Sequence, residues 1–410
     1  MINKMKDKII YAFTILFSLL YIIVANKVIL SGEKFFDENE ASRLFLSEVQ
    51  EILSKSESEY GEINVHFKAK IVRGEEKGNI VDALQMLDQT SSINSPDLKP
   101  GDKIYLYKHE SEEGLIWYAD QYDRADGLII LAIAFVGFVI IFGRKKGVNT
   151  IIALVFTCLA VFNVYVPAIL KGYNIYLWSI ITCLYIGVST LLIVQGTTKK
   201  SFASMIGCLS GTAVAGILTY IMSKVLTLTG VLNEESLYLY YMESSSPIDL
   251  RAIIFGSIIV GAIGAIMDVS IDISSSLNEV VNASENPTFK DIIKAGFEIG
   301  RDIIGTMANT LVLAYIGSSL SCTLLIASYS GSITYLLNRE AIIVEILQAL
   351  AGSIGIFFTI PLTTYISAFL YLDYHKKDRR KKYLPVNKTE TKKKKEKITM
   401  ESFKEDPWKM

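Results

Sequence analysis

The sequence is poor in the residues that carry disulfide, metal and nucleotide chemistry. Its 410 residues include only 4 cysteines and 3 histidines. The cysteines lie in apolar segments and are spaced neither for a disulfide framework nor for a metal site, so we interpret them as small core residues. They are Cys158, Cys183, Cys208 and Cys322. The absence of a Walker A motif argues against ATP-driven pumping by this chain alone. The net charge of −1 indicates no particular partner, and we expect no nucleic acid among the partners.

Apolar residues, in contrast, are abundant. They make up 51% of the sequence and gather into runs of about 17 to 25 residues, the length that an α-helix needs to cross a hydrocarbon core about 30 Å thick. We therefore predict an all-α polytopic membrane protein with about eight transmembrane helices. The predicted spans are residues 9–30, 127–142, 148–170, 175–194, 202–226, 253–267, 303–327 and 342–372. The last span contains Pro361, which predicts a kink or a tilt.

Basic residues lie in alternate loops between these spans. They precede the first span, separate the second from the third and the fourth from the fifth, and follow the last. They are Lys4, Lys6, Lys8, Arg144, Lys145, Lys146, Lys199, Lys200, Lys376, Lys377, Arg379, Arg380, Lys381 and Lys382. By the positive-inside rule, this distribution predicts a multi-pass protein of the cytoplasmic membrane, with both termini in the cytoplasm and residues 31–126 outside.

The chain therefore divides into a membrane anchor (1–30), an extracytoplasmic domain (31–126), a seven-helix membrane domain (127–373) and a basic cytoplasmic tail (374–410). The first span is longer than the core of a signal peptide and is followed by a poor cleavage site, which favours an uncleaved anchor. The tail has many charges and no apolar periodicity, which is typical of disorder. It either attracts anionic lipid or serves only as a topology signal.

The outer segment has its own folding pattern. In ENEASRLFLSEVQEILSKSE, the spacing of Leu44, Leu46, Val49 and Leu53 predicts a helix. INVHFKAKIV then alternates like a half-buried strand, and LKPGDKIYLYKH supplies a turn that leads into another strand. We predict a small α+β or β-barrel-like domain between the first and second spans. Its histidines, His66 and His109, have no partner at metal-ligand spacing, so we expect them to be solvated.

The sixth predicted span is followed by carboxylates. On a helical wheel with about 100° per residue, Asp272, Ser275 and Glu279 lie within about 40° of Asp268, and Asn278 lies to one side. Like charges on one stripe repel each other, and more strongly at a lipid boundary than in water. A bound cation or a shared proton would offset that repulsion.

A second polar stripe begins the seventh predicted span. Asp302, Thr306 and Asn309 share one face of a helix, and Arg301 precedes them. Because both stripes lie at the cytoplasmic ends of consecutive antiparallel helices, they can face each other. Carboxylates, hydroxyls and a carboxamide suit a hard cation or a proton-coupled site. Two alternatives stay open: Arg301 forms a structural ion pair with Asp302 or Asp272, or the acids are catalytic.

The two motifs resemble those of a known family. MDVSIDISSSLNEV together with GRDIIGTMANTLVLAYIGSSL is similar to the signature pair of the YibE/F family of bacterial multispanning membrane proteins. The basic anchor, the strand of KPGDKI type and the other spans are similar as well. The resemblance implies the multispanning architecture over most of the chain, but no assigned biochemical role. The matching residues are Asp268, Asp272, Ser275, Leu277, Asn278, Glu279, Gly300, Arg301, Asp302, Gly305, Thr306, Asn309 and Gly317.

Three functional classes follow from these features. The first is a permease or secondary transporter whose stripe residues, at the cytoplasmic side of the sixth and seventh predicted spans, bind a cation or a proton. The second is a non-transporting scaffold or sensor whose outer domain binds a partner. The third, an intramembrane enzyme, lacks a supporting motif, so we expect no catalytic residue and no cofactor beyond a bound cation. The expected partners are the lipid bilayer, a small solute or ion, and a second copy or a paired membrane protein.

Overall fold

The computed structural model describes residues 2–30, 44–57, 63–74, 76–87, 97–111, 114–241, 248–329 and 332–382. The strands are β1 Leu44–Glu57, β2 Ile63–Ile71, β3 Ile80–Leu87, β4 Lys103–Ser111 and β5 Gly114–Tyr122. The helices are α1 Ile2–Leu30, α2 Ala125–Ala160, α3 Val166–Leu170, α4 Ile175–Gln195, α5 Lys199–Val225, α6 Glu234–Tyr241, α7 Leu250–Ala283, α8 Phe289–Ser318, α9 Leu320–Tyr329, α10 Ile333–Leu337 and α11 Glu340–Lys382, with a π-helical turn, Val161–Tyr165, between α2 and α3. The part of the predicted basic tail beyond residue 382 lies outside the described residues.

The chain forms two compact units. One comprises Met1–Ile29 with Ile152–Met410, and the other comprises Leu30–Ile151. The first contains most of the apolar helices, and the second contains all five strands.

The strands form a closed barrel in the order β1-β2-β3-β5-β4. Neighbouring strands are antiparallel, except that β3 and β5 pair in parallel. The predicted alternation of β2 is confirmed: Val65, Phe67 and Ala69 are buried, while His66 and Lys70 are exposed. Because a closed barrel has no free strand edge, the five strands satisfy one another's backbone hydrogen-bonding groups. The expectation of a small barrel-like domain is therefore confirmed.

The predicted helix at the start of this domain is wrong, because its residues from Leu44 to Glu57 form strand β1. The first residues of that prediction, 38–43, lie outside the described residues. The pairing of β1 with β2 shifts its register between Val49 and Glu51 and again between Ile52 and Ser54. Each bulge adds a residue and moves the inward-facing position by one. The apolar residues of β1 consequently recur at intervals that resemble a helical period.

Six helical segments in the described part of the chain are long and apolar enough to cross a membrane. They are Ile9–Leu30, Ala125–Leu170, Ile175–Gln195, Lys199–Val225, Leu250–Ala283 and Glu340–Leu372. The second, 46 residues long, corresponds to two predicted spans. Its backbone is non-helical at Arg144, in the basic cluster between those two spans. The protein is therefore mostly helical, with several apolar helices and one small barrel.

The predicted span at residues 303–327 does not form one helix. Helix α8 ends at Ser318, and α9 begins at Leu320 after the C-cap residue Ser319. Glycine and serine have low helix propensity, so the sequence Gly317-Ser318-Ser319 favours an end at this point. Helix α8 is also not among the six segments that are apolar enough to cross a membrane, a consequence of the charged and polar side chains along it.

Helix α7 occupies the core of the helical unit, with Ile259, Ile266, Ile273 and Leu277 all buried. Its N-terminus is capped by the Asp249 carboxylate, which accepts hydrogen bonds from the backbone N–H groups of the two residues after Leu250. Helices α5 and α11 approach closely where α5 has glycines. Pro361 lies inside α11, which continues through it. Helix α1 joins the same unit, where the Tyr21 ring stacks on Tyr185 of α4 with 4.4 Å between ring centroids.

Candidate functional site

The carboxylate stripe lies on the one exposed face of α7. Gly264, Asp268, Asp272 and Glu279 are exposed, whereas the residues on the other sides of the helix are largely buried. Ser275 and Asn278 are half-buried beside them. The sequence predicted that the apolar span would end at residue 267, but α7 continues to Ala283. Asp268 consequently lies near the middle of the helix, about 27 Å from its first residue and about 22 Å from its last.

The members of this stripe differ in their partners. Glu279 pairs with Lys200 of α5, with 3.1 Å between Oε1 and Nζ. The Asn278 amide lies 3.5 Å from the same Oε1 atom. Within the described residues, neither Asp268 nor Asp272 has an ion-pair partner. Because they are one helical turn apart on the same face, the two carboxylates repel each other without a protein cation to offset the repulsion.

The side of α7 next to α5 is held by hydroxyl groups that the sequence did not single out. Ser204 Oγ of α5 lies 2.6 Å from Ser274 Oγ and donates to the Ser270 carbonyl oxygen at 3.2 Å. Tyr371 Oη of α11 donates to the Ser274 carbonyl oxygen at 3.0 Å. These bonds connect α7 to two neighbours on the sides away from the carboxylates. They fix the rotation of α7 and therefore the direction of the stripe.

The second predicted stripe lies on an exposed face of α8. Arg301, Asp302, Thr306 and Asn309 are all exposed, and the Thr306 hydroxyl donates to the Ile303 carbonyl oxygen at 3.1 Å. Helix α8 begins with a capping box between Thr288 and Asp291. The hydrogen bonds from Thr288 hold the pKa of the Asp291 carboxyl below its usual value.

Helix α8 contacts its neighbours through the opposite face. A Cβ atom added to Gly300 would lie 2.3 Å from Ile360 of α11, and one added to Gly352 of α11 would lie 2.7 Å from Leu311. Contact between α7 and α8 occurs at Gly261, where an added Cβ would lie 3.2 Å from Tyr315 Oη. The two stripes thus occupy separate exposed faces rather than one buried space between α7 and α8.

Three polar residues near the α7 stripe were missed by the sequence analysis. Tyr315 of α8 approaches Gly261, as does Gln348 of α11, whose Nε2 atom would lie 3.3 Å from an added Cβ. Glu345 is half-buried one turn before Gln348. Gly261 precedes Asp268 by two turns on the same face, about 10 Å along the helix. The signal was present in the sequence, since Glu345 is an ionisable residue inside a predicted span.

No group of three or more histidine, cysteine, aspartate or glutamate side chains in the described ranges is arranged to hold a metal ion. Asp268 and Asp272 therefore supply two carboxylates in this part of the chain, with Ser275 one turn beyond Asp272. Such a set can take up a proton, or can bind a cation that keeps water or other ligands.

Comparison with known protein families identifies a match over more than half of the chain. Residues 131–373 match the family described as YibE/F-like protein. This range contains both polar stripes and all the helices from α3 to α10. No curated protein and no solved structure matches the chain significantly.

Proposed function

Since the chain belongs to the YibE/F family, whose match covers several helices able to span a membrane, we propose that it is a permease or secondary transporter. In this proposal Asp268 and Asp272 of α7 bind the cation or proton that is coupled to movement of a solute. One observation carries the proposal: two carboxylates without an ion-pair partner among the described residues occupy the exposed face of a largely buried helix.

A charged side chain at membrane depth carries an energetic cost. An aspartate near the centre of a membrane-spanning helix costs about 2.5–3.5 kcal/mol on insertion scales. Two such residues on one face add repulsion to that cost. A structural ion pair would reduce the cost permanently, and Glu279 has such a partner in Lys200. Asp268 and Asp272 lack this permanent partner, which suits a site that is alternately occupied and empty.

The experiment is a thermal-shift scan of the purified protein against monovalent and divalent cations across pH. A ligand that binds only the folded state stabilises it by about 2.7 kcal/mol at a hundred times its dissociation constant. We expect one ion or a change in pH to raise the melting temperature of the wild type. We expect Asp268→Asn and Asp272→Asn to lose that response.

The matched control is Glu298→Gln, which removes an exposed carboxylate of α8 that pairs with Lys294 at 3.9 Å. The Glu298→Gln variant should keep the full ion response, because the carboxylate that it lacks lies on α8 and is not part of the α7 stripe. A response that persists unchanged in Asp272→Asn would contradict the proposed site. A flat response in the wild type would favour a scaffold or sensor and direct work to the barrel.

We also propose that the barrel lies outside the cytoplasmic membrane and that both termini are cytoplasmic, because the basic residues lie between alternate pairs of predicted spans. Lys70→Cys on the barrel surface and Lys146→Cys in α2, two residues after Arg144, place thiols at exposed positions. In a chain without its native cysteines, an impermeant maleimide should label the first variant in intact cells. The second should be labelled only after the membrane is opened, and the reverse pattern would show the opposite orientation.

A further inference from the structure

Helix α8 has a polar face that nothing in the described part of the chain covers. Arg301, Asp302, Gly305, Thr306 and Asn309 are exposed, and we call them the α8 outer face. An added Cβ atom at Gly305 would have no atom within 4 Å. Arg301 and Asp302 have no ion-pair partner among the described residues. Because they are consecutive, their side chains do not face each other along the helix.

With the apolar span of α11 centred in the membrane, this face lies at the depth of the hydrocarbon core. Gly300, next to Arg301, packs on Ile360 of α11, whose apolar span is Glu340–Leu372. That span is about 50 Å long, roughly 20 Å more than a hydrocarbon core, and Ile360 is about 18 Å from its nearer end. With the span centred, half of the excess extends past that end, and Ile360 is about 8 Å inside the core. Lipid therefore cannot solvate the guanidinium and carboxylate groups beside it.

We propose that the α8 outer face is the contact between two copies of this chain in the membrane, with Arg301 of each copy paired with Asp302 of the other. The face carries both a positive charge, Arg301, and a negative charge, Asp302, so it is complementary to the same face of a second copy. The occupant is therefore a second copy of this chain. A helix with this composition is not apolar enough to cross a membrane alone. Contact with the same face of a second α8 removes its charged groups from lipid.

The geometry follows from symmetry. Two copies inserted with the same orientation are related by a two-fold axis along the membrane normal, so their α8 helices are parallel. A residue on one side of the contact line in one copy then meets the residue on the other side of the line in the second copy, and the same pair forms a second time with the copies exchanged. On the helical wheel Gly305 lies between the two charged residues, about 40° from Arg301 and about 60° from Asp302. Gly305 is therefore on the contact line, where the lack of a side chain permits close approach.

The first test is disulfide cross-linking in native membranes. Gly305→Cys is introduced into a chain whose native cysteines have been replaced by serine. Position 305 is chosen because a residue on the contact line meets its own counterpart across the axis. Gly264→Cys is the matched control, since Gly264 is equally open but lies on α7. Mild oxidation should give a covalent dimer with Gly305→Cys and at least tenfold less with Gly264→Cys. Cross-linking at position 264 instead, or none at position 305, overturns the proposal.

The second test exchanges the charges. Arg301→Asp alone places two carboxylates opposite each other, so the dimer fraction measured by single-molecule photobleaching in lipid vesicles should fall at least tenfold. The double variant Arg301→Asp with Asp302→Arg reverses both partners and should restore the wild-type fraction. A monomeric wild type, a dimeric Arg301→Asp variant or a double variant that stays monomeric each contradicts the pairing. Cross-linking at position 305 keeps the test decisive if a charge variant does not fold.

Discussion

Replacing Gly211 by alanine is expected to lower the melting temperature of the membrane helices by about 5–10 °C, because α5 and α11 are in contact at this residue. An added Cβ atom would lie 1.8 Å from Thr359 Oγ1 and 2.8 Å from the Gly355 carbonyl oxygen. The threonine can rotate, but the carbonyl belongs to the backbone of a buried helix. The two helices must therefore separate, which costs about 1–3 kcal/mol or more in a packed core.

Gly216→Ala is the matched control on the same helix. Its Cβ atom would lie 3.5 Å from Ile259 and Phe255, an ordinary van der Waals distance. Since alanine is about 0.5–1 kcal/mol better than glycine within a helix, this variant should melt at or slightly above the wild-type temperature. Thermal unfolding of both variants in the same detergent gives the comparison. Equal melting temperatures would mean that α5 and α11 do not pack through Gly211.

These glycines illustrate how much the sequence could predict. Small residues in an apolar run predict that a helix approaches a neighbour closely. The identity of the neighbour could not be predicted, because Thr359 and Thr363 lie in the last helix, far from Gly207 and Gly211 in the chain. Helical periodicity is a local property, whereas packing depends on contacts between distant segments.

For the candidate site, too, the sequence predicted local features but not the contacts between helices. The period of α7 correctly placed Asp268 and Asp272 on one stripe, and the structure gives that stripe an exposed face. A helical wheel gives the direction of a face relative to its own helix, but not what it meets. The bonds from Ser204 and Tyr371 to α7 determine how the helix is rotated relative to its neighbours. Neither bond could be derived from the α7 sequence.

In the barrel, the local sequence pattern predicted strand β2 correctly and strand β1 wrongly. Strand β2 alternates without interruption, so its buried residues were identified correctly. Strand β1 contains two register shifts, which broke the alternation and suggested a helix. A bulge depends on the partner strand, so a single segment read alone could not reveal it.

Replacing Phe67 by alanine should destabilise this barrel more than any surface substitution on the same strand. The Phe67 ring is fully buried among Val49, Ile104, Leu106 and Trp117. Removing a buried phenylalanine side chain costs about 3–5 kcal/mol, a large share of the roughly 5–15 kcal/mol that a small domain has in total. The unfolded fraction of the barrel should therefore rise by a factor of about a hundred or more.

Limited trypsin digestion of the full-length protein measures this change, because Lys68 and Lys70 follow Phe67 on β2 and are protected while the strand is paired. Cleavage at these lysines should be much faster in Phe67→Ala than in the wild type. His66→Ala, which changes the exposed neighbour of Phe67, should be cleaved at the wild-type rate. If both variants were cleaved equally fast, Phe67 would not be part of the barrel core, and the inward register of β2 would have to be shifted by one residue.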